Sequence, residues 1–154
     1  MSVPKSKRKP SSYEMVDIAC KIDDCVYKLY YKMYDYSPQI AIIELGKIRF
    51  LADEIKDYTM KAQQHPLLNP YSRDTFVRSG YLLNALESLN SLDAFLNSSL
   101  LNLNHLRVIY NGKERGVKTH ELEEILEYEI KLTEILGKEL NLAKNKPPIK
   151  GYSL

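Results

Sequence analysis

Three histidines are the side chains of this 154-residue sequence best suited to acid–base chemistry near neutral pH. His65 adjoins Pro66, and His105 opens a stretch of alternating apolar residues; neither has a recognisable partner close in sequence. His120 is different, because Arg115 precedes it with four residues between, in Arg115-Gly-Val-Lys-Thr-His120. Taken alone, that pair reads as a loop charge and a helix-entry residue. Other reactive constellations are missing. A di-iron carboxylate bundle needs two Glu-x-x-His motifs, and the sequence has none. His120-Glu121 begins like a zinc-protease helix, but position 124 is Glu where a second His is required. The six glycines are unclustered and form neither phosphate-cradling motif. Cys20 and Cys25 lie five positions apart, match no metal knuckle, and read as two half-buried thiols in a reducing cytoplasm. These residues imply no enzyme, no cofactor and no metal.

Binding chemistry is better represented. Lys5, Lys7, Arg8 and Lys9 give residues 1–11 a charge of +4 with no acid. Such a Ser/Pro/Lys segment has almost nothing apolar to bury and can engage phosphates while unfolded. Residues 119–143 balance it with seven glutamates against two lysines, most simply a solvated helix face. Twelve tyrosines are present, and Tyr27, Tyr30, Tyr31 and Tyr34 fall at i, i+3, i+4 and i+7 with Lys28 and Lys32 between them. A stripe of this kind suits a subunit interface or a core edge, where the ring is buried and the hydroxyl stays wet, more than base stacking.

Four helices must position these groups. Met15, Ile18, Ala19, Ile22, Val26, Leu29 and Met33 recur at three- and four-residue steps, predicting a helix over 11–35. Ser37-Pro38 restarts a helix over 37–63, whose buried side is expected to include Ile40, Ile43, Phe50, Ile55 and Tyr58, widened by Leu45, Ile48, Leu51 and Ala52. Two prolines break the pattern before a third helix over 72–101, capped by Ser72; with Phe76, Leu82, Leu83, Leu86 and Leu89 it is expected to be the most buried of the set. Residues 102–118 form a long loop, with alternation up to Asn111-Gly112 suggesting a small β-ribbon. Thr119 caps a last helix over 119–143. Residues 1–10 and 144–154 are tails. The expected fold is all-α, an antiparallel up-down-up-down four-helix bundle in one domain. No apolar run approaches the roughly 20 residues of a spanning helix, and no signal-peptide core is present, so a cytoplasmic protein without a membrane partner is expected.

The opening Met-Ser-Val-Pro-Lys-Ser-Lys-Arg, the Ser37-Pro38 helix ending near Lys61-Ala62, the Pro/Asn loop, and Arg73 and Arg78 in a Leu-rich third helix resemble the accessory variability determinant (Avd) proteins of diversity-generating retroelements. That family is related to four-helix-bundle proteins encoded in ribosomal-RNA intervening sequences. The resemblance covers about residues 1–101. It implies a homopentameric barrel that binds the element's reverse transcriptase together with template RNA or cDNA, without a catalytic residue in this chain. By position it implies nucleic-acid or polymerase contacts at Lys5, Lys7, Arg8, Lys9, Arg73 and Arg78. The sequence departs from the family in a body of net charge −2, a long loop before the last helix, and the lack of Trp there. The Arg115 and His120 spacing separately resembles the motif of HEPN ribonucleases, also helical bundles; that resemblance implies a phosphate-holding arginine and a histidine assisting RNA cleavage, and is the alternative reading.

Overall fold

The computed structural model describes residues 11–145; segments 1–10 and 146–154, which include Lys5, Lys7, Arg8 and Lys9, lie outside the described residues. Helix α1 (Ser11–Tyr36) is followed by α2 (Pro38–Ile40), a π-helical turn (Ala41–Leu45) and α3 (Gly46–Gln63), which together form the second rod of the bundle. Helix α4 (Arg73–Leu101), a two-stranded ribbon of β1 (Arg107–Tyr110) and β2 (Lys113–Gly116), and α5 (Thr119–Asn145) complete the fold. Each rod packs on the next, and α5 closes against α1. Lys56 of α3 bonds Asp23 of α1 at 3.2 Å while Arg49 lies over the Tyr30 ring, so residue numbers descend on one rod as they climb on the other. The expected antiparallel bundle is therefore present, with a small sheet added at one end. No helix among the described residues is long and apolar enough to cross a membrane.

Local chemistry explains the boundaries. Ser37 Oγ accepts from the Ile40 amide at 3.3 Å, and Pro38 occupies the first helical position, where it removes a donor that would have had no partner. Ser72 does not cap α4 through its hydroxyl. The preceding loop is instead held by Asn69 Oδ1, which accepts from the Tyr71 amide at 2.9 Å, and by Thr75 Oγ1, which accepts from the Leu68 amide at 2.8 Å. Thr119 is the first helical residue of α5, not its cap. The Glu121 carboxylate reaches back to the Lys118 amide at 2.9 Å, half of a capping box, and also pairs with Lys32 of α1.

The buried stripe of the second rod covers only part of the expected face. Ala41, Leu45, Ile48, Ala52 and Ile55 face the core, whereas Ile43 and Phe50 are exposed. The wide π turn at Ala41–Leu45 sets Ala41 and Leu45 inward and leaves Ile42 and Ile43 outside. Helix α4 buries more residues than any other helix among the described residues, as expected, though not all of them are apolar. Leu82, Leu89, Leu92 and Leu96 fill the core, but the same inward row carries Thr75, Arg78, Ser88 and Ser99, and Phe76 and Leu83 stand on the outer surface.

The ribbon follows its turn chemistry. Asn111 and Gly112 both have positive φ (51° and 78°), the pair of left-handed residues that a two-residue hairpin needs. Tyr110 packs edge-on against Tyr36 at 5.3 Å between ring centroids, which seats the ribbon on the end of α1. Gly116 has φ of 140°, and a Cβ there would lie 2.2 Å from the Leu106 carbonyl oxygen. Gly116→Ala is expected to cost about 1–3 kcal/mol through backbone strain and displacement of β1; urea denaturation checks it, and an unchanged midpoint would mean that the ribbon is dispensable to the bundle.

Candidate partner and nucleic-acid interface

An up-down-up-down chain returns to its starting end after four helices. Ser11, where the chain enters the bundle, the 64–72 loop, Arg73 at the start of α4, and Lys144 in the last turn of α5 consequently share one end of the molecule. Arg73 is exposed and has no ion-pair partner among the described residues. A cation in the first turn of a helix gains nothing from the helix dipole, so its charge is available to an external anion.

Arg78 has a different role from the surface contact expected of it. It is 2% exposed and pairs with Glu139 of α5, equally enclosed, at 3.1 Å. Its guanidinium also donates to the Ala62 and His65 carbonyls at 3.1 and 3.3 Å. The reason is its place in the inward row between Thr75 and Leu82, where nothing reaches solvent. Arg78 thus joins the end of α3, the following loop and α5 from inside.

Arg115 and His120 are both exposed, one on β2 opposite Val108 and the other in the first turn of α5. No hydrogen bond joins them among the described residues. Cys25 is held as a thiol: burial first, then the Glu124 carboxylate facing it at 3.8 Å, pushes its pKa up to about 11. Among the described residues no cluster of three or more His, Cys, Asp or Glu side chains could hold a metal ion.

The tyrosine stripe acquires a partner that one-dimensional spacing could not reveal. Arg49 of α3 places its guanidinium 4.9 Å from the Tyr30 ring centre, 5.0 Å from Tyr31 and 5.6 Å from Tyr27. Tyr27 and Tyr31 also contact each other at 4.5 Å. Tyr30 is half-buried against the core while Tyr27, Tyr31 and Tyr34 remain exposed. Each cation–ring contact is worth about 0.5–1 kcal/mol at such a site. Acids temper the charge: Asp24 holds Lys28 at 2.9 Å, and Asp53 stands beside Arg49, its own carboxyl raised by burial and by its hydrogen bond with Asp23. The cluster therefore presents flat aromatic faces with little net charge, a surface suited to protein contact.

A second acid pair bridges α4 and α5. Glu129 is 4% exposed, and its Oε1 accepts from Thr133 Oγ1 at 3.2 Å. Its Oε2 is enclosed without a donor, and the neighbouring carboxyl is Asp93. Only a proton on one of the two acids turns that approach into a hydrogen bond. Burial, then the bond and charge of Asp93, pushes Glu129 up to about 7, opposed only by the Thr133 hydroxyl.

Comparison with family models, curated proteins and solved structures gave no match.

Proposed function

We propose that this chain is a non-catalytic accessory protein of a diversity-generating retroelement, which assembles as a homo-oligomer and holds a reverse transcriptase together with template RNA or cDNA in the cytoplasm. The observation that supports an anion-binding role is the convergence of the root of the basic segment, Arg73 and Lys144 at one end of the bundle. The Lys5, Lys7, Arg8 and Lys9 segment ends two positions before Ser11, so its charge is tethered to that end. The tyrosine cluster around Arg49 and the exposed Ile43 and Phe50 supply apolar surface that a single subunit leaves uncovered, as assembly with protein requires. The nature of the partners and the pentameric number rest on the resemblance of the tail and first three helices to the Avd family. Arg78 has no part in this surface.

Light scattering of the full chain at physiological salt, with and without a structured RNA, is the direct test. A mass about five times 17.8 kDa, with RNA co-eluting and released by added salt, is the expected result. Changing Lys5, Lys7, Arg8, Lys9 and Arg73 to alanine is expected to flatten the log–log salt slope by up to about 3.5–4.5, since each phosphate contact contributes roughly 0.7–0.9. A monomer or dimer that ignores RNA would overturn the reading. Loss of RNA cleavage on Arg115→Ala and His120→Ala would replace it with the ribonuclease alternative.

A further inference from the structure

Between α4 and α5, at the end where the chain leaves the bundle, lies a groove of about 300 Å³. Pro70, Phe76, Ser79, Leu83, Leu140 and Ala143 line it, and Lys144 stands at its mouth. Its walls are apolar, yet Phe76 is 78% and Leu83 56% exposed. An anion would meet one cation, the Thr75 and Ser79 side chains and otherwise hydrocarbon, so this surface fits an apolar segment and not nucleic acid.

We propose that the groove receives this chain's own residues 149–154, Ile-Lys-Gly-Tyr-Ser-Leu, folded back from the end of α5. Connectivity argues for that occupant. The chain leaves the helix at Asn145, one residue beyond the groove residue Lys144. Nine residues follow, and they reach up to about 30 Å when extended. The α4 wall from Thr75 to Leu83 measures only about 12 Å. Pro147 and Pro148 cannot extend α5, carry no amide donor that an apolar groove would strand, and have little backbone freedom to lose. Beyond them Ile149, Tyr152 and Leu154 offer three apolar side chains, and the Ser79 hydroxyl stands in the groove wall to meet the Tyr152 hydroxyl. A tether this short makes docking intramolecular, at an effective concentration on the order of millimolar, which favours the same subunit's segment over a neighbour's. Docking would cover Phe76 and Leu83 without any partner, independently of the retroelement reading.

The sequence contains no tryptophan, so Phe76→Trp in the full chain provides a single reporter in the groove wall, at a site too exposed to disturb the core. Adding Ile149→Asp and Leu154→Asp, outside the bundle, is expected to leave the helical circular dichroism unchanged. The indole emission should shift to the red and its acrylamide quenching constant should rise about two-fold, as a mostly docked population is released. A synthetic peptide of residues 146–154 should reverse the effect. Equal quenching with and without the two aspartates would overturn the proposal. So would shielding that appears only as protein concentration is raised, because a second copy would then be the cover.

Discussion

Arg78→Met is expected to lower the stability of the bundle by about 3–5 kcal/mol, because it leaves the enclosed Glu139 carboxylate without its counter-charge. The Ala62 and His65 carbonyls lose a donor in the same step. Methionine approximates the arginine stem in volume, so the loss reports charge and hydrogen bonding more than a cavity. The companion double variant, Arg78→Met with Glu139→Leu, removes both charges and is expected to recover most of the loss, since a packed apolar pair commonly equals or exceeds a buried ion pair. Urea midpoints of the three proteins decide the matter. If the double variant is as unstable as the single one, the two carbonyls and not the charge pair carry the cost. Equal stability of Arg78→Met and the parent would mean that the guanidinium is not enclosed in solution.

Glu129→Gln is expected to stabilise the protein at pH 8 and to remove much of its pH dependence on the acid side of neutrality. The folded protein holds the Glu129 proton up to about pH 7, whereas an unfolded glutamate releases it near 4.5. Between those values the native state binds more protons than the unfolded state, so stability falls as pH rises through the window. The stabilising effect of the raised pKa is complete below about 4.5 and lost by about 7. Separation of this size corresponds to roughly 3 kcal/mol, or roughly 6–12 °C in Tm for a chain of this length. Glutamine keeps the oxygen that accepts from Thr133 and supplies an amide donor where Oε2 has none. Thermal melts of parent and variant from pH 4.5 to 8.5 should therefore converge at the acid end and separate at the alkaline end. Parallel curves would show that Asp93 and Glu129 do not share a proton.

Much of the fold was legible in one dimension because helix periodicity and turn chemistry are local. Ser37-Pro38 marked the start of the second rod, and Asn111-Gly112 marked the ribbon turn, each through conformations that those residues favour by themselves. The outward setting of Ile43 and Phe50 was hidden because a π turn has no compositional sign: Ala-Ile-Ile-Glu-Leu reads as ordinary helix. Phe76 illustrates a related limit. A large apolar residue marks a place that seeks burial, not the neighbour that supplies it. The buried Arg78 did leave a trace, since it occupies the inward row with Thr75 and Leu82 while Glu139 occupies that of Leu132 and Leu136. Both rows meet at one bundle end, so a charge in each invites a pairing. Arg49 left none, because its meeting with Tyr27, Tyr30 and Tyr31 depends on how two helices are set against each other.

The closure of α5 on α1 governs the order in which the bundle comes together. Consecutive rods are joined by connections of at most 17 residues, but the ties across the closing seam, Lys32 with Glu121 and Cys25 with Glu124, join residues 89 and 99 positions apart. Bringing such distant segments together costs more chain entropy than forming either helical hairpin. The hairpins therefore form early and the seam zips late. In amide exchange, the facing turns of α1 and α5 around Lys32 and Glu121 are expected to open before the more extensively packed α3–α4 pair.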